Sequence, residues 1–253
     1  MTVRPHLRLA LLLTLSTLAA CEVGAVGPGG GDGSGDDDPI DDPAADVDAA
    51  PAPVQSYTLT VSPPTATTVL GTKTTFNVSM SATNFSGPVT VAAGGVPASW
   101  QIAITPTTVD LIDGGTAMAS VEITIPPNGE AAPDGATLTI EATGAPGNRS
   151  GTAMMTVANE YVFSVAAGTA NGVHWGAMNG GLVRLKSGTK LVIKNDDTTG
   201  HRIHTNGGIS GFGHQGATMA PGASYAVTVG DGSDNFYCHD HGQNTGTVNV
   251  TVE

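Results

Sequence analysis

From Tyr57 onward the chain runs in short Val/Thr/Ile segments that alternate apolar and polar residues, broken by Gly, Pro and Asn. A period of two turns one side of each segment toward a core and the other toward water, whereas a helix needs a period near 3.6. This confines the chain to an all-β fold of sandwich or barrel type. The first block carries about seven such segments, at 57–61, 74–80, 88–91, 100–104, 119–125, 137–142 and 151–157, and Trp100 is expected between its sheets. A second block follows at 161–165, 182–185, 190–194, 202–204, 224–229, 235–238 and 247–252. Ala158, Asn159 and Glu160 separate the two as an expected hinge. We therefore expect two β-sandwich domains, at 56–158 and 159–253.

The first block resembles the immunoglobulin-like or fibronectin-like modules of bacterial surface proteins in strand number and final hairpin. That resemblance is architectural and implies little about activity. The block has no His or Cys, and its acids (Asp110, Asp113, Glu122, Glu130, Asp134, Glu141) are scattered, which gives no support to a paired-carboxylate active site. A spacer or protein-contact role is expected.

The N-terminus is of another kind. Arg4 and Arg8 precede an apolar run at 9–18, too short to span a bilayer, which reads as a secretory signal. Leu18-Ala19-Ala20-Cys21 resembles the bacterial lipobox, which implies a signal peptide at 1–20 and a lipidated Cys21. The expected location is the cell envelope, at the outer membrane facing the periplasm or the exterior. Several acyl chains on one residue anchor stably where one chain does not. Residues 21–55 are rich in Gly, Pro, Ala and Asp and hold nine of the acids behind the net charge of −13, eight of them Asp. Such a segment buries too little apolar surface to order itself and is expected to be a disordered tether. Its Asp run lacks the glycine turn and terminal Glu of a calcium loop, and no basic patch points to nucleic acid.

Cys21 and Cys238 are the only cysteines. With Cys21 committed to lipid, an exported chain keeps one thiol and has no intrachain disulfide, and such a leftover Cys is either a liability or a working ligand. Its surroundings favour a ligand: His241 lies three residues on, between an aromatic segment and a Thr-Val-Asn-Val segment, and His201 stands upstream behind Asn195-Asp196-Asp197. One thiolate and two imidazoles from separate segments suit copper electron transfer.

Lys186-Ser187-Gly188-Thr189 before Leu191-Val192-Ile193, then Asn195 to Asp197 and His201, resembles the cupredoxins. So does Pro221-Gly222-Ala223-Ser224-Tyr225 leading to Phe236-Tyr237-Cys238. The likeness spans nearly all of 161–253 and is nearest the plastocyanin–amicyanin group. It implies a Greek-key domain with one type 1 copper ion, cycling between Cu(I) and Cu(II), on His201, Cys238 and His241. The family's axial Met lies two residues before the glycine that opens the last strand, here Gly246, so the matching residue is Asn244. Three readings stay open: an amide oxygen from Asn244 or from Gln243 as its substitute, no axial ligand, or a site drifted to copper holding. The phytocyanins, which use an amide, carry a disulfide this chain cannot form.

Histidines outside that set have simpler readings. His204 is expected on the opposite face of its strand from His201, and His239 on the rim of the ligand loop. His174 and His214 lie in Gly-rich loops. A second metal site from His204, His214 or His239 is the alternative, as is zinc on Cys238, His239, His241 and His201. A trinuclear oxidase cluster needs eight imidazoles, and the mature chain would have six. The expected protein is a monomeric electron carrier with transient redox-protein partners and no catalytic residues; a copper-storage lipoprotein is the rival.

Overall fold

The computed structural model describes residues 50–169, 175–178, 181–242 and 246–253. Pro51–Glu253 forms one compact unit. The signal peptide, Cys21 and the tether up to residue 49 lie outside the described residues; 50–55 are exposed and without regular structure. No helix among the described residues is long and apolar enough to cross a membrane.

The fold is all-β. Nine strands come first: β1 (Ser56–Ser62), β2 (Thr65–Leu70), β3 (Lys73–Thr83), β4 (Gly87–Gly94), β5 (Gln101–Thr105), β6 (Thr108–Leu111), β7 (Thr116–Thr124), β8 (Ala132–Gly144) and β9 (Gly147–Val165). The short helix α1 (Trp175–Met178) precedes β10 (Leu182–Leu185), β11 (Lys190–Asn195), β12 (Ile203–Thr205), β13 (Ser224–Thr228), β14 (Gly232–Cys238) and β15 (Val248–Val252). All seven segments expected in the first block are strands or strand parts, and β2 and β6 are additional.

Three sheets result, ordered β1-β3-β7-β5, β10-β15-β14-β12, and β13-β11-β9-β8-β4-β6 with β2 also on β9. The last of these joins the halves. β9 is 19 residues long; its first part pairs antiparallel with β8, and its end, from Glu160, pairs parallel with β11. Ala158-Asn159-Glu160 is therefore no hinge but the middle of a strand. Its alternation keeps phase across this point: Ala153, Met155 and Val157 are buried on one side of it, and Tyr161, Phe163 and Val165 on the other. Asn159 occupies the inward phase but is exposed, and its amide reaches the Gly188 carbonyl at 3.0 Å. A shift in the β2 register between Val69 and Leu70 absorbs the two extra residues. Gly71, at φ +78°, turns β2 into β3 where an added Cβ would meet the Tyr161 ring at 2.6 Å.

In the first half, Trp100 is buried as expected and donates its indole N–H to the Glu130 carbonyl at 2.8 Å. In the second half, Phe163 of β9 meets Phe236 of β14 edge-on at 5.2 Å, which ties the shared sheet to the one that carries the site.

Candidate metal centre

β12 and β14 pair antiparallel, with Ile203 opposite Cys238, His204 opposite Tyr237 and Thr205 opposite Phe236. Facing residues of a ladder project to the same side. Ile203, Thr205, Phe236 and Cys238 are buried on the inner side, whereas His204 and Tyr237 stand half-buried on the outer. The ladder thus fixes which side each polar group serves before any loop closes.

His201 enters just ahead of β12. Its backbone bridges that of Met219, with N–H···O distances of 3.1 and 2.7 Å in the two directions. Gly200 allows this approach, since a Cβ there would sit 2.7 Å from Thr218 Cγ2. The His201 ring is fully buried, and its Nδ1 lies 3.4 Å from Cys238 Sγ. His241, in the turn after β14, brings its own Nδ1 to 3.1 Å from the same sulfur. The structure therefore brings together His201, Cys238 and His241, with ligand atoms all within 4.8 Å of one another. Asn244 and Gln243 lie outside the described residues, as does His174. Met219, the residue bridged to His201, is buried.

The far nitrogen of His201 is held as firmly as the near one. Asp197 Oδ2 lies 3.0 Å from His201 Nε2 and also accepts from Thr199 Oγ1 at 3.0 Å and Thr169 Oγ1 at 3.1 Å. Asp197 Oδ1 accepts from the amides of Gly168 and Thr198 at 2.9 and 2.7 Å. Asn195, buried at the end of β11, shapes the loop: its oxygen accepts from Asp197 N, and its amide donates to the Thr199 and Met219 carbonyls. Burial alone would raise the Asp197 carboxyl; the donors of Gly168, His201, Thr198 and Thr199 outweigh it and hold the group far below the usual carboxylate range. A carboxylate behind a ligating imidazole fixes its tautomer and orientation. The sequence reading singled out the Asn195–Asp197 run but gave Asp197 no such role; its signal was an acid four residues before His201.

Burial also opposes ionisation of Cys238, but hydrogen bonds from His201 and from the backbone at Arg202, His241 and Asp240 bring the thiol down to about 7. Burial would lower His201, and the hydrogen bonds and charges of Cys238 and Asp197 raise it above the ordinary histidine value. The site thus favours the Cys238 thiolate, which is the state a metal ligand needs, and the proton it holds on His201 is the one a metal would displace. Behind it stands an aromatic wall that sequence reading missed: Trp175 of α1 is fully buried, 5.4 Å edge-on from the His201 ring and 6.1 Å from Phe236.

The ligand loop is clamped from outside. His239 N–H donates to the Arg202 carbonyl at 2.7 Å. Asp240 pairs with the Arg202 guanidinium at 2.9 Å and accepts from Thr218 Oγ1 at 2.9 Å. His239 consequently turns outward to His204 and His214 and does not join Cys238. The four-ligand zinc set of Cys238, His239, His241 and His201 is not assembled among the described residues.

No protein-family model matches the chain, and no curated protein does. Solved structures similar to it include amicyanins. The Cu(I) form of one amicyanin variant matches 38% of this chain and 84% of its own, at 18% identity and a TM-score of 0.29. An oxidised amicyanin variant matches 36% of this chain and 80% of its own, at 19% identity and a TM-score of 0.28.

Proposed function

We propose that this protein is an electron carrier of the cell envelope, anchored through lipid on Cys21, that holds one copper ion between His201, Cys238 and His241. One observation carries the reading: a buried thiol poised to ionise lies 3.1 and 3.4 Å from two imidazole nitrogens supplied by separate segments. Copper bound there would supply a one-electron Cu(I)/Cu(II) couple with a covalent thiolate bond. The protein's part is to hold the donors still. The β12–β14 ladder sets Cys238, Asp197 orients His201, and the Arg202–Asp240 pair fixes the turn that carries His241. Little rearrangement is then needed when the charge at the centre changes. His241 is only half-buried and offers the exit to transient redox partners, whereas His201 is sealed behind Trp175.

Reversible voltammetry of the copper-loaded full chain, with rapid reduction by a small outer-sphere donor, tests this function. Slow or absent electron exchange by protein that still holds copper would favour the storage role instead. In this proposal Asn244 would supply an amide oxygen to the copper. A thioether stabilises Cu(I) relative to an amide oxygen, so Asn244→Met should raise the potential; a fall would show that Asn244 gives the native site no oxygen.

Copper loading should also depend on pH. The Cys238 thiol sits at about 7, and the metal must displace its proton. Apparent affinity, measured by chelator competition, should fall as pH drops through the range in which Cys238 and His201 take up protons, by about tenfold per pH unit for each proton displaced. A flat profile down to pH 5 would contradict thiolate ligation.

A further inference from the structure

On the outer side of the same ladder, three imidazoles converge. His204 lies on β12, His239 directly follows β14, and His214 comes from the loop between β12 and β13. His239 Nδ1 is 3.1 Å from His204 Nδ1 and 2.9 Å from His214 Nε2, and the three ligand atoms all lie within 4.8 Å of one another. The rings do not simply stack: His214 stands nearly perpendicular to both of the others, at 87° and 88°.

Each imidazole nitrogen offers one in-plane position, either a lone pair or an N–H. The single position on His239 Nδ1 faces two partners, so hydrogen bonds serve both only as a shared three-centre contact. A cation between the three satisfies every lone pair at once. The spacing agrees in scale, since nitrogens bound 2.0–2.1 Å from one tetrahedral ion lie about 3.3 Å apart.

The backbone beneath the cluster is fixed. His204 is held by the β12–β14 ladder, and the His239 amide by the Arg202 carbonyl. His214 is set by its neighbour Gln215, whose N–H donates to the Ile203 carbonyl at 2.9 Å while its Oε1 accepts from Ile203 N at 3.0 Å. The Tyr237 ring lies 4.7 Å from that of His204 and limits its rotation.

From this geometry we infer a second metal site, in which His204, His214 and His239 bind a divalent transition ion of the imidazole-preferring kind, zinc or copper(II). The fourth position faces solvent and is left to water, as in three-histidine zinc sites. This site does not depend on what Cys238 holds. Cys238 and His239 are consecutive, so the two centres lie on opposite faces of one strand end.

Zinc titration of the full chain, with bound metal counted after removal of excess, tests the inference. His214→Ala and, separately, His204→Asn should each bind one zinc fewer per chain than wild type. That difference is read whether or not the inner site also takes zinc. In wild type, zinc should shift the imidazole resonances of all three histidines in heteronuclear NMR spectra. Equal stoichiometry and affinity in wild type and both variants, with those resonances unmoved, would overturn the site. His214 is an exposed loop residue, so its variant keeps the fold even if His204→Asn does not.

Discussion

Cys238→Ser should abolish the intense visible absorption of the copper-loaded protein, leaving at most a faint ligand-field band. The absorption expected of the wild type arises from charge transfer out of a copper-bound thiolate, and a serine oxygen does not provide it. Cys238 is the free thiol among the described residues and is fully buried, so no other thiol takes its place. The substitution is nearly isosteric and leaves the Ile203–Cys238 backbone pairing intact, so far-UV circular dichroism should be unchanged. Copper content alone is a poor readout, because the outer histidine cluster would keep its own Cu(II). The band separates the two centres: outer-site copper on imidazoles is pale, and inner-site copper on sulfur is not. Retention of the band in the serine variant would remove Cys238 from the site.

Asp197→Asn should weaken metal binding at the inner site by about 10–100-fold, the usual cost of losing a ligand's outer partner. Five donors converge on this buried carboxylate: the amides of Gly168 and Thr198, the hydroxyls of Thr169 and Thr199, and His201 Nε2. An amide has one acceptor oxygen and turns an N–H₂ toward donors, so at least one charge-assisted hydrogen bond is lost. Denaturant unfolding of metal-free protein should show a loss of about 2–3 kcal/mol at neutral pH, since hydrogen bonds to charged groups contribute roughly 1.5–3 kcal/mol each. The pH dependence gives a second readout. The folded carboxyl lies below its unfolded value, so its contribution is complete above about pH 4 and disappears as pH falls further, when the unfolded chain takes up the proton first. The gap between wild type and Asp197→Asn should therefore narrow as pH falls below about 4. Equal metal affinity in the two proteins would show that Asp197 does not act through His201.

The strands were legible because period-two alternation is a local signal, and residues such as Phe76-Asn77-Val78-Ser79-Met80 carry it without interruption. β2 was not, because Thr65-Ala66-Thr67-Thr68 has little apolar contrast and follows two prolines; it exists by pairing in parallel with β9. The continuity of β9 was hidden for a related reason. Asn159 and Glu160 look like a linker, yet the strand runs on through them, and Asn159 is exposed although it occupies the inward phase. The Cys238–His241 spacing and the distant His201 were readable as a donor set. The role of Asp197 was not, since the choice among Asn195, Asp196 and Asp197 depends on how the loop folds over Thr169, a residue 28 positions away. The outer histidines show the same limit: alternation put His204 on the opposite face from His201, but only the folded loop brings His214 to it.

X-ray absorption at the copper edge, on full chain loaded with less than one equivalent of copper, tests the central claim most directly. The proposal predicts copper bound by one sulfur and two imidazole nitrogens, and loss of the sulfur contribution in Cys238→Ser. A wild-type spectrum showing copper bound by nitrogen and oxygen alone would contradict it.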